Sequence, residues 1–250
     1  MNELDLKGFR VPAPPGVTES VALDVGLVDG YHTYESPVGQ VMVVFNERGV
    51  GAVELASDEM LDQLVIRRGR LMVEADPPRA WGSGIERALV EGRPGRLPID
   101  WSGISEFRQK ALTVTATIPF GQVRSYGWVA GRVGETGAAR AVGSAMAGNP
   151  IPLIIPCHRV VRSDGHIGNY SLGGPEQKWT LLRSEGANPE RLEDLATKGI
   201  RYLGSDTTGI FCLPTCRYER KATVQHAVEF RSPAEAAAAG YRPCKVCQPV

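Results

Sequence analysis

The chain has 250 residues, 42% of them apolar, with 28 basic and 28 acidic side chains. That length can bury one large or two smaller cores, and no run approaches the roughly 18 apolar residues of a helical membrane span, so no membrane partner is expected. The neutral total is unevenly placed: residues 1–100 hold 10 basic against 16 acidic side chains, residues 101–200 hold 11 against 8, and residues 201–250 hold 7 against 4. An anionic partner is therefore expected to meet the chain beyond residue 100.

The start, Met1-Asn2-Glu3-Leu4-Asp5, is acidic and lacks the charged and apolar regions of a signal peptide, which predicts a cytoplasmic protein with reduced thiols. Residues 1–28 read as a loose leader, because Val11-Pro12-Ala13-Pro14-Pro15-Gly16 is too rich in proline for a helix or a central strand. Gln40–Asn46 and Val50–Leu55 are β-rich runs joined by Glu47-Arg48-Gly49, a hairpin whose glycine takes the positive φ. Helices are predicted near Ser57–Arg68 and Gly82–Val90. No repeat of 20 to 50 residues is present.

From Ser105 the pattern turns helical. Glu106–Ala116 reads as a helix stopped at Ile118-Pro119-Phe120-Gly121, and Ser125 is placed to cap a second helix, Tyr126–Val133. Gly134-Glu135-Thr136-Gly137 leads into a third, Ala138–Ala147, closed by Gly148-Asn149-Pro150. The last two form a helix-turn-helix pattern. The second of the pair carries almost only small side chains and one arginine, Arg140, so it lacks the long polar groups that read base edges in a major groove. Small residues instead allow close backbone approach in a minor groove, where one long cation can fill the gap left by an extruded nucleotide. An alanine-rich packing helix with a surface arginine fits the same residues.

After the apolar run Ile151–Ile155 comes Pro156-Cys157-His158-Arg159-Val160-Val161. A thiol attacks as its thiolate, and an adjacent imidazole, directly or through one water, is a common way to form one. An unprotonated, reachable sulfur is thus expected at Cys157; the plainer reading is a buried small hydrophobe followed by a surface histidine. The other four cysteines, Cys212, Cys216, Cys244 and Cys247, form C-x3-C and C-x2-C pairs 27 residues apart. Two close pairs of thiolates suit tetrahedral zinc, and two disulfides are the alternative that a reducing compartment disfavours.

The stretches ATIPFGQVRSYGWVA, GAARAVGSAMAGNPIPLIIPCHRVV, GNYSLGG and KWTLLRSEG resemble the O6-alkylguanine-DNA alkyltransferase family over residues 30–190. The resemblance implies an α/β (α+β) fold: a ribonuclease-H-like subdomain at 29–100 and a helical, winged-helix-like catalytic subdomain with the helix-turn-helix at 101–190. It implies an enzyme that moves an alkyl group from O6-alkylguanine, and from O4-alkylthymine, in double-stranded DNA onto its own cysteine. Cys157 becomes the acceptor, His158 its base through a water, and Glu185 the group orienting the imidazole. Asn149 holds the turn before Cys157, and Tyr126 donates to the flipped guanine. Arg140 is the intercalating residue, flanked by Ala139 and Ala141 in a minor groove. Met146, Pro152, Val160, Tyr170 and Ser171 line the pocket, and Lys178 stands near the active-site turn. Ser171-Leu172-Gly173-Gly174 holds one residue more than the family pattern, which bears on alkyl size. The acceptor is used once, because a thioether neither leaves nor acts as a base. No G-x-G-x-x-G loop is found, so no diffusible methyl donor is implied, nor is an obligate protein partner evident.

TTGIFCLPTC and EFRSPAEAAAAGYRPCKVCQP resemble the zinc-binding domain of the methyl-phosphotriester repair protein Ada, over residues 200–250. The likeness implies zinc on the four cysteines and methyl acceptance from a backbone phosphotriester at Cys212. Leu213, where an arginine is typical, departs from the Ada pattern, and the alternative is a structural zinc clamping a small domain. In Ada this module precedes the alkyltransferase, with an AraC-type region between them; here the order is reversed without room for that region. Two other functions stay open: an Ada-like methylation-responsive regulator, and a non-catalytic damage recogniser, against which Cys157 argues.

Overall fold

A computed structural model describes residues 17–219 and 226–249. Of the predicted leader, residues 1–16 lie outside the described residues, and Val17–Asp24 forms a helix, α1. The last part of the predicted leader is therefore helical, and the first strand opens at Asp29. The first sheet runs β3-β2-β1-β4, with β1 Asp29–Ser36, β2 Gly39–Asn46, β3 Gly49–Leu55 and β4 Met72–Glu74. The first three strands are antiparallel neighbours and β4 adds parallel to β1. The predicted hairpin is β2–β3, and Gly49 takes a φ of 140° at its turn, where its Cα hydrogen faces the Pro98 carbonyl with no room for a side chain.

Val41 to Asn46 are buried throughout, because this central strand is covered on both faces. Met42 and Val44 meet Leu64 of α2 (Asp58–Arg68), while Val41 and Val43 join Ile85 of α3 (Gly82–Glu91) in the main core. Ser57 caps α2 by accepting from the Met60 N–H; Asp58 and Glu59 open the helix, Arg67 and Arg68 close it, and Gly69 ends it in the left-handed region. The main core continues without a break through Leu112 of α4 (Glu106–Thr115), Val129 of α5 (Tyr126–Arg132), Val142 of α6 (Ala139–Ala147) and the Ile151–Ile155 loop. The sheet layer and the helical layer thus share one apolar interior.

Helices α5 and α6 pack on each other and on α4 in the predicted helix-turn-helix arrangement. Ser125 caps α5 by accepting from the Trp128 N–H at 3.1 Å, and Gly134 supplies the positive φ between the helices. Beyond them lie a short parallel pair, β5 (Arg124–Ser125) with β6 (Val160–Val161), and two helices, α7 (Gly174–Ser184) and α8 (Pro189–Thr197). Strands β7 (Tyr202–Ser205), β8 (Ile210–Cys212), β9 (Ala227–Phe230) and β10 (Arg242–Pro243) form a second four-stranded sheet in the order β10-β8-β7-β9, which with α9 (Pro233–Ala238) builds the carboxyl-terminal module. Helix α8 bridges the two parts: Leu192 packs with Val161 and Leu182, whereas Leu195 packs with Leu203 of β7 (Tyr202–Ser205). No helix among the described residues is long and apolar enough to cross a membrane.

Candidate active site and metal centre

The loop from Asn149 to Pro156 is folded on itself by one amide. Asn149 Oδ1 accepts from the Ile151 N–H at 3.2 Å, and its Nδ2 donates to the Ile155 carbonyl at 2.9 Å and to Cys157 Sγ at 3.1 Å. Leu153 is driven to a φ of 68°, an uncommon conformation for a branched side chain, which the surrounding core enforces. The chain then makes one 3-10 turn, Cys157–Arg159, placing nucleophile and imidazole side by side.

His158 Nε2 lies 2.8 Å from Glu185 Oε1, and its Nδ1 is buried with no hydrogen-bond partner in the protein. Glu185, just after α7, also accepts from the Gly121 N–H at 2.9 Å and from Arg159 Nε at 2.9–3.0 Å and Nη2 at 2.7 Å. Burial works against its charge, but the hydrogen bonds from His158 and Arg159 prevail and hold its carboxyl down to about 2. Burial also lowers His158 below the usual imidazole range, against the pull of Glu185, so the ring is neutral at neutral pH. Arg159 is wholly buried and spends its remaining donors on the carbonyls of Glu91, Gly92 and Ile118.

Cys157 is only 3% exposed. Burial raises its thiol above the ordinary value, partly offset by Asn149, Lys178 and Ser171. An unprotonated sulfur is thus not what the burial favours: a low-dielectric wall favours the neutral thiol. Lys178 Nζ is buried against the carbonyls of Val160 at 2.7 Å, Ile167 at 2.8 Å and Asn169 at 3.3 Å; burial brings its ammonium down to about 8. Tyr170 stands edge-on to His158, its hydroxyl buried without a partner, and Tyr126 opens α5, partly buried against the main core.

The remaining residues read from sequence are distributed unevenly. Pro152 and Val160 are buried beside the turn, and Ser171 is exposed. Met146 is taken into the main core, its sulfur accepting from Thr115 Oγ1 at 3.4 Å, because it lies on the inward face of α6 with Val142 and Ala145. Arg140 and Ala141 face solvent and Ala139 is half-buried. Arg159 and the Gly121 N–H were missed, since an arginine is ordinarily a surface residue and a backbone donor leaves no mark in the sequence.

In the carboxyl-terminal module the Sγ atoms of Cys212, Cys216, Cys244 and Cys247 all lie within 4.8 Å of one another, and all four residues are buried. Hydrogen bonds from Cys212 and Cys247 pull the Cys216 thiol down to about 2, while the same contact with Cys216 pushes Cys212 far up. Four converging soft donors of this kind fit a tetrahedral zinc ion.

A helix-turn-helix beside a buried Cys-His-Glu relay, joined to a four-thiol centre, defines the class: a nucleic-acid-binding protein with a nucleophilic cysteine. Residues 106–187 match the 6-O-methylguanine DNA methyltransferase DNA-binding domain, and residues 192–250 match the metal-binding domain of Ada. A methylated-DNA–protein-cysteine methyltransferase of Mycolicibacterium paratuberculosis is 36% identical over 161 residues, which cover 62% of this chain and 91% of that protein. The Rattus norvegicus enzyme of that name is 47% identical over 126 residues, 48% of this chain, which spans only 57% of its length. The crystal structure of Mycobacterium tuberculosis OGT in complex with DNA superposes with a TM-score of 0.51 at 28% identity, covering 66% of this chain and 99% of that one. The chain belongs to the methylated-DNA–protein-cysteine methyltransferase family.

Proposed function

We propose that this protein repairs double-stranded DNA by taking the alkyl group of O6-alkylguanine, and by the same chemistry of O4-alkylthymine, irreversibly onto Cys157. The observation that carries this reading is the continuous series Asn149–Cys157 and His158–Glu185–Arg159, in which the sulfur has a donor and the imidazole an anchored, ionised partner. In this reading residues 29–100 form the ribonuclease-H-like subdomain, 101–190 the winged-helix-like catalytic subdomain and 200–250 the zinc module. The exposed face of α6 enters the minor groove; Ala139 and Ala141 let the backbone approach, and Arg140 fills the gap of the flipped nucleotide.

The neutral His158 takes the Cys157 proton through one water at Nδ1, and ionised Glu185 stabilises the imidazolium at Nε2. Sulfur then attacks the alkyl carbon in line: the S–C bond forms as the C–O bond breaks, and the electron pair departs on guanine oxygen 6. The Tyr126 hydroxyl donates to the leaving base, which exits as neutral guanine after protonation. Tyr170, Ser171, Pro152 and Val160 bound the pocket, with Met146 supporting it from the core, and Lys178 fixes the Val160, Ile167 and Asn169 carbonyls around it. Mass spectrometry after incubation with an O6-methylguanine duplex is expected to find one added methyl on the Cys157 peptide; a methyl elsewhere, or none, rejects the assignment.

A second acceptor is supported by one further feature. Cys212 borders a cavity of about 540 Å³ that also has Arg242 and Lys245 in its wall, cations suited to a phosphate. Zinc keeps such a thiolate deprotonated at neutral pH. Methyl transfer from a phosphotriester oxygen to this sulfur leaves a phosphodiester anion and a thioether. DNA carrying label only in methylphosphotriesters tests it: label absent from the Cys212 peptide leaves the centre a purely structural role.

A further inference from the structure

We infer that Arg124 is the counter-ion of the four-cysteine metal centre, so that charge as well as packing docks the zinc module onto the alkyltransferase domain, next to the strand that leaves Cys157. The inference rests on the reading that the four thiols hold zinc. Arg124 is 3% exposed, yet no carboxylate pairs with it among the described residues. Its guanidinium gives Nη1 to the Val123 carbonyl at 2.8 Å and Nη2 to Gln122 Oε1 at 2.9 Å, while Nε is buried with no partner. Two neutral acceptors and the face of Trp128, whose ring centroid lies 5.4 Å from the guanidinium carbon, leave this buried cation without an anionic partner.

The compensation comes from the neighbouring module. Arg124 and Cys247 line one cavity of about 440 Å³ together with Trp128, Arg132 and Gln248. Burial lowers Arg124, and the sulfurs of Cys247, Cys216 and Cys244 act in the opposite direction, favouring its charge. Four thiolates around one dication carry a net charge of about −2, a diffuse anion matched to a guanidinium. Two neighbours of Arg124 are tied to the metal loops: the Val123 N–H donates to Thr215 Oγ1 at 2.9 Å, between Cys212 and Cys216, and Trp128 Nε1 donates to the Gln248 carbonyl at 3.2 Å, next to Cys247. On its other side Arg124 pairs with Val160 in the β5–β6 ladder, directly after the Cys157–Arg159 turn. Metal loading thereby stabilises the strand on which the acceptor turn is built.

The test uses the full chain and Zn(II) competed against a chromophoric chelator. Arg124→Met is expected to weaken zinc binding by roughly tenfold or more, as for loss of one partner of a buried charge pair, and Arg124→Lys to restore most of it. Hydrogen exchange of the Val160 and Val161 amides should slow on zinc loading in the wild type and in Arg124→Lys, but not in Arg124→Met. Equal zinc affinity of Arg124→Met and wild type overturns the link while leaving the metal reading intact, and a wild type that holds no zinc overturns both. Should Arg124→Met not fold, the wild-type Arg124 Nε–H resonance decides: a shift with slower solvent exchange on loading supports the inference, and no change overturns it.

Discussion

The protein holds cysteine sulfur in two opposite ways. Around Cys157 an apolar core reaching from Val41 to Leu181 encloses the thiol, so burial raises its proton affinity. Around Cys212, Cys216, Cys244 and Cys247 the module's own apolar core is small, centred on Tyr202, Phe211, Phe230 and Ala236, and the sulfurs themselves are a structural layer. The difference teaches that burial tunes a single thiol for one event, whereas clustering makes thiols a scaffold that needs a cation to hold together.

The contrast breaks most completely at Cys157. Cys157→Ala is expected to abolish methyl transfer, measured by label on the protein, while DNA affinity by gel shift stays within about twofold, since the side chain carries no charge and is buried. Glu185→Gln comes next. It should slow single-turnover transfer by roughly 10²–10⁴-fold through loss of the imidazole's anchor, and lower stability by about 3–5 kcal/mol because Arg159 is left buried without its counter-charge.

That carboxylate also sets an acid limit. Its value in the fold is about 2 against an ordinary 4.5, so its contribution is complete above 4.5 and drains away as the pH falls towards 2. Glu185→Gln should remove that part of the acid-unfolding profile. The raised thiol predicts a dependence in the same sense for rate: wild-type transfer climbs as the pH rises through and above the ordinary thiol range. A profile already flat at neutral pH contradicts the buried-thiol picture.

Removing metal with a strong chelator, or substituting Cys216→Ser, should open residues 200–249 to proteolysis while the Cys157 domain still accepts a methyl at a reduced melting temperature. Loss of a structural zinc from a small module costs on the order of 10 kcal/mol, comparable with what burial of Tyr202, Phe211 and Phe230 supplies at about 1.5–3 kcal/mol for each large side chain. Asn149→Ala has a smaller effect: with the Ile151 N–H unpaired and the Ile155 carbonyl left to the Cys157 N–H alone, denaturant titration should register a loss of about 1–3 kcal/mol. Arg140→Ala should move least. Its exposed side chain predicts weaker DNA binding and a salt slope shallower by about one phosphate contact, with stability unchanged.

Much of this was readable from local chemistry. Ser125 announced its helix because a cap needs only its own next turn, and the Glu47-Arg48-Gly49 hairpin needed only a glycine free to take positive φ. Strands β1 and β4 were not read: Asp29–Ser36 is polar along much of its length and becomes a strand through its partners on either side. Asp29 and Asp100 look like surface acids, yet Arg68, Arg70 and Arg48 gather around them from distant segments. Met146 was assigned to the pocket from its position in the motif; the inward face of α6 places it in the same core cluster as Cys157, Val160 and Tyr170.

By itself the sequence singled out Cys157 and its neighbour His158, the four metal-type cysteines and the helix-turn-helix, because each is carried by residues close together in the chain whose chemistry is intrinsic. Only the tertiary structure decided that burial favours the neutral Cys157 thiol, that Arg159 and the Gly121 N–H fix Glu185, and that Arg124 shares a cavity with Cys247. Those depend on desolvation and on contacts between segments far apart in the chain, and neither is a property of any residue until the core closes around it.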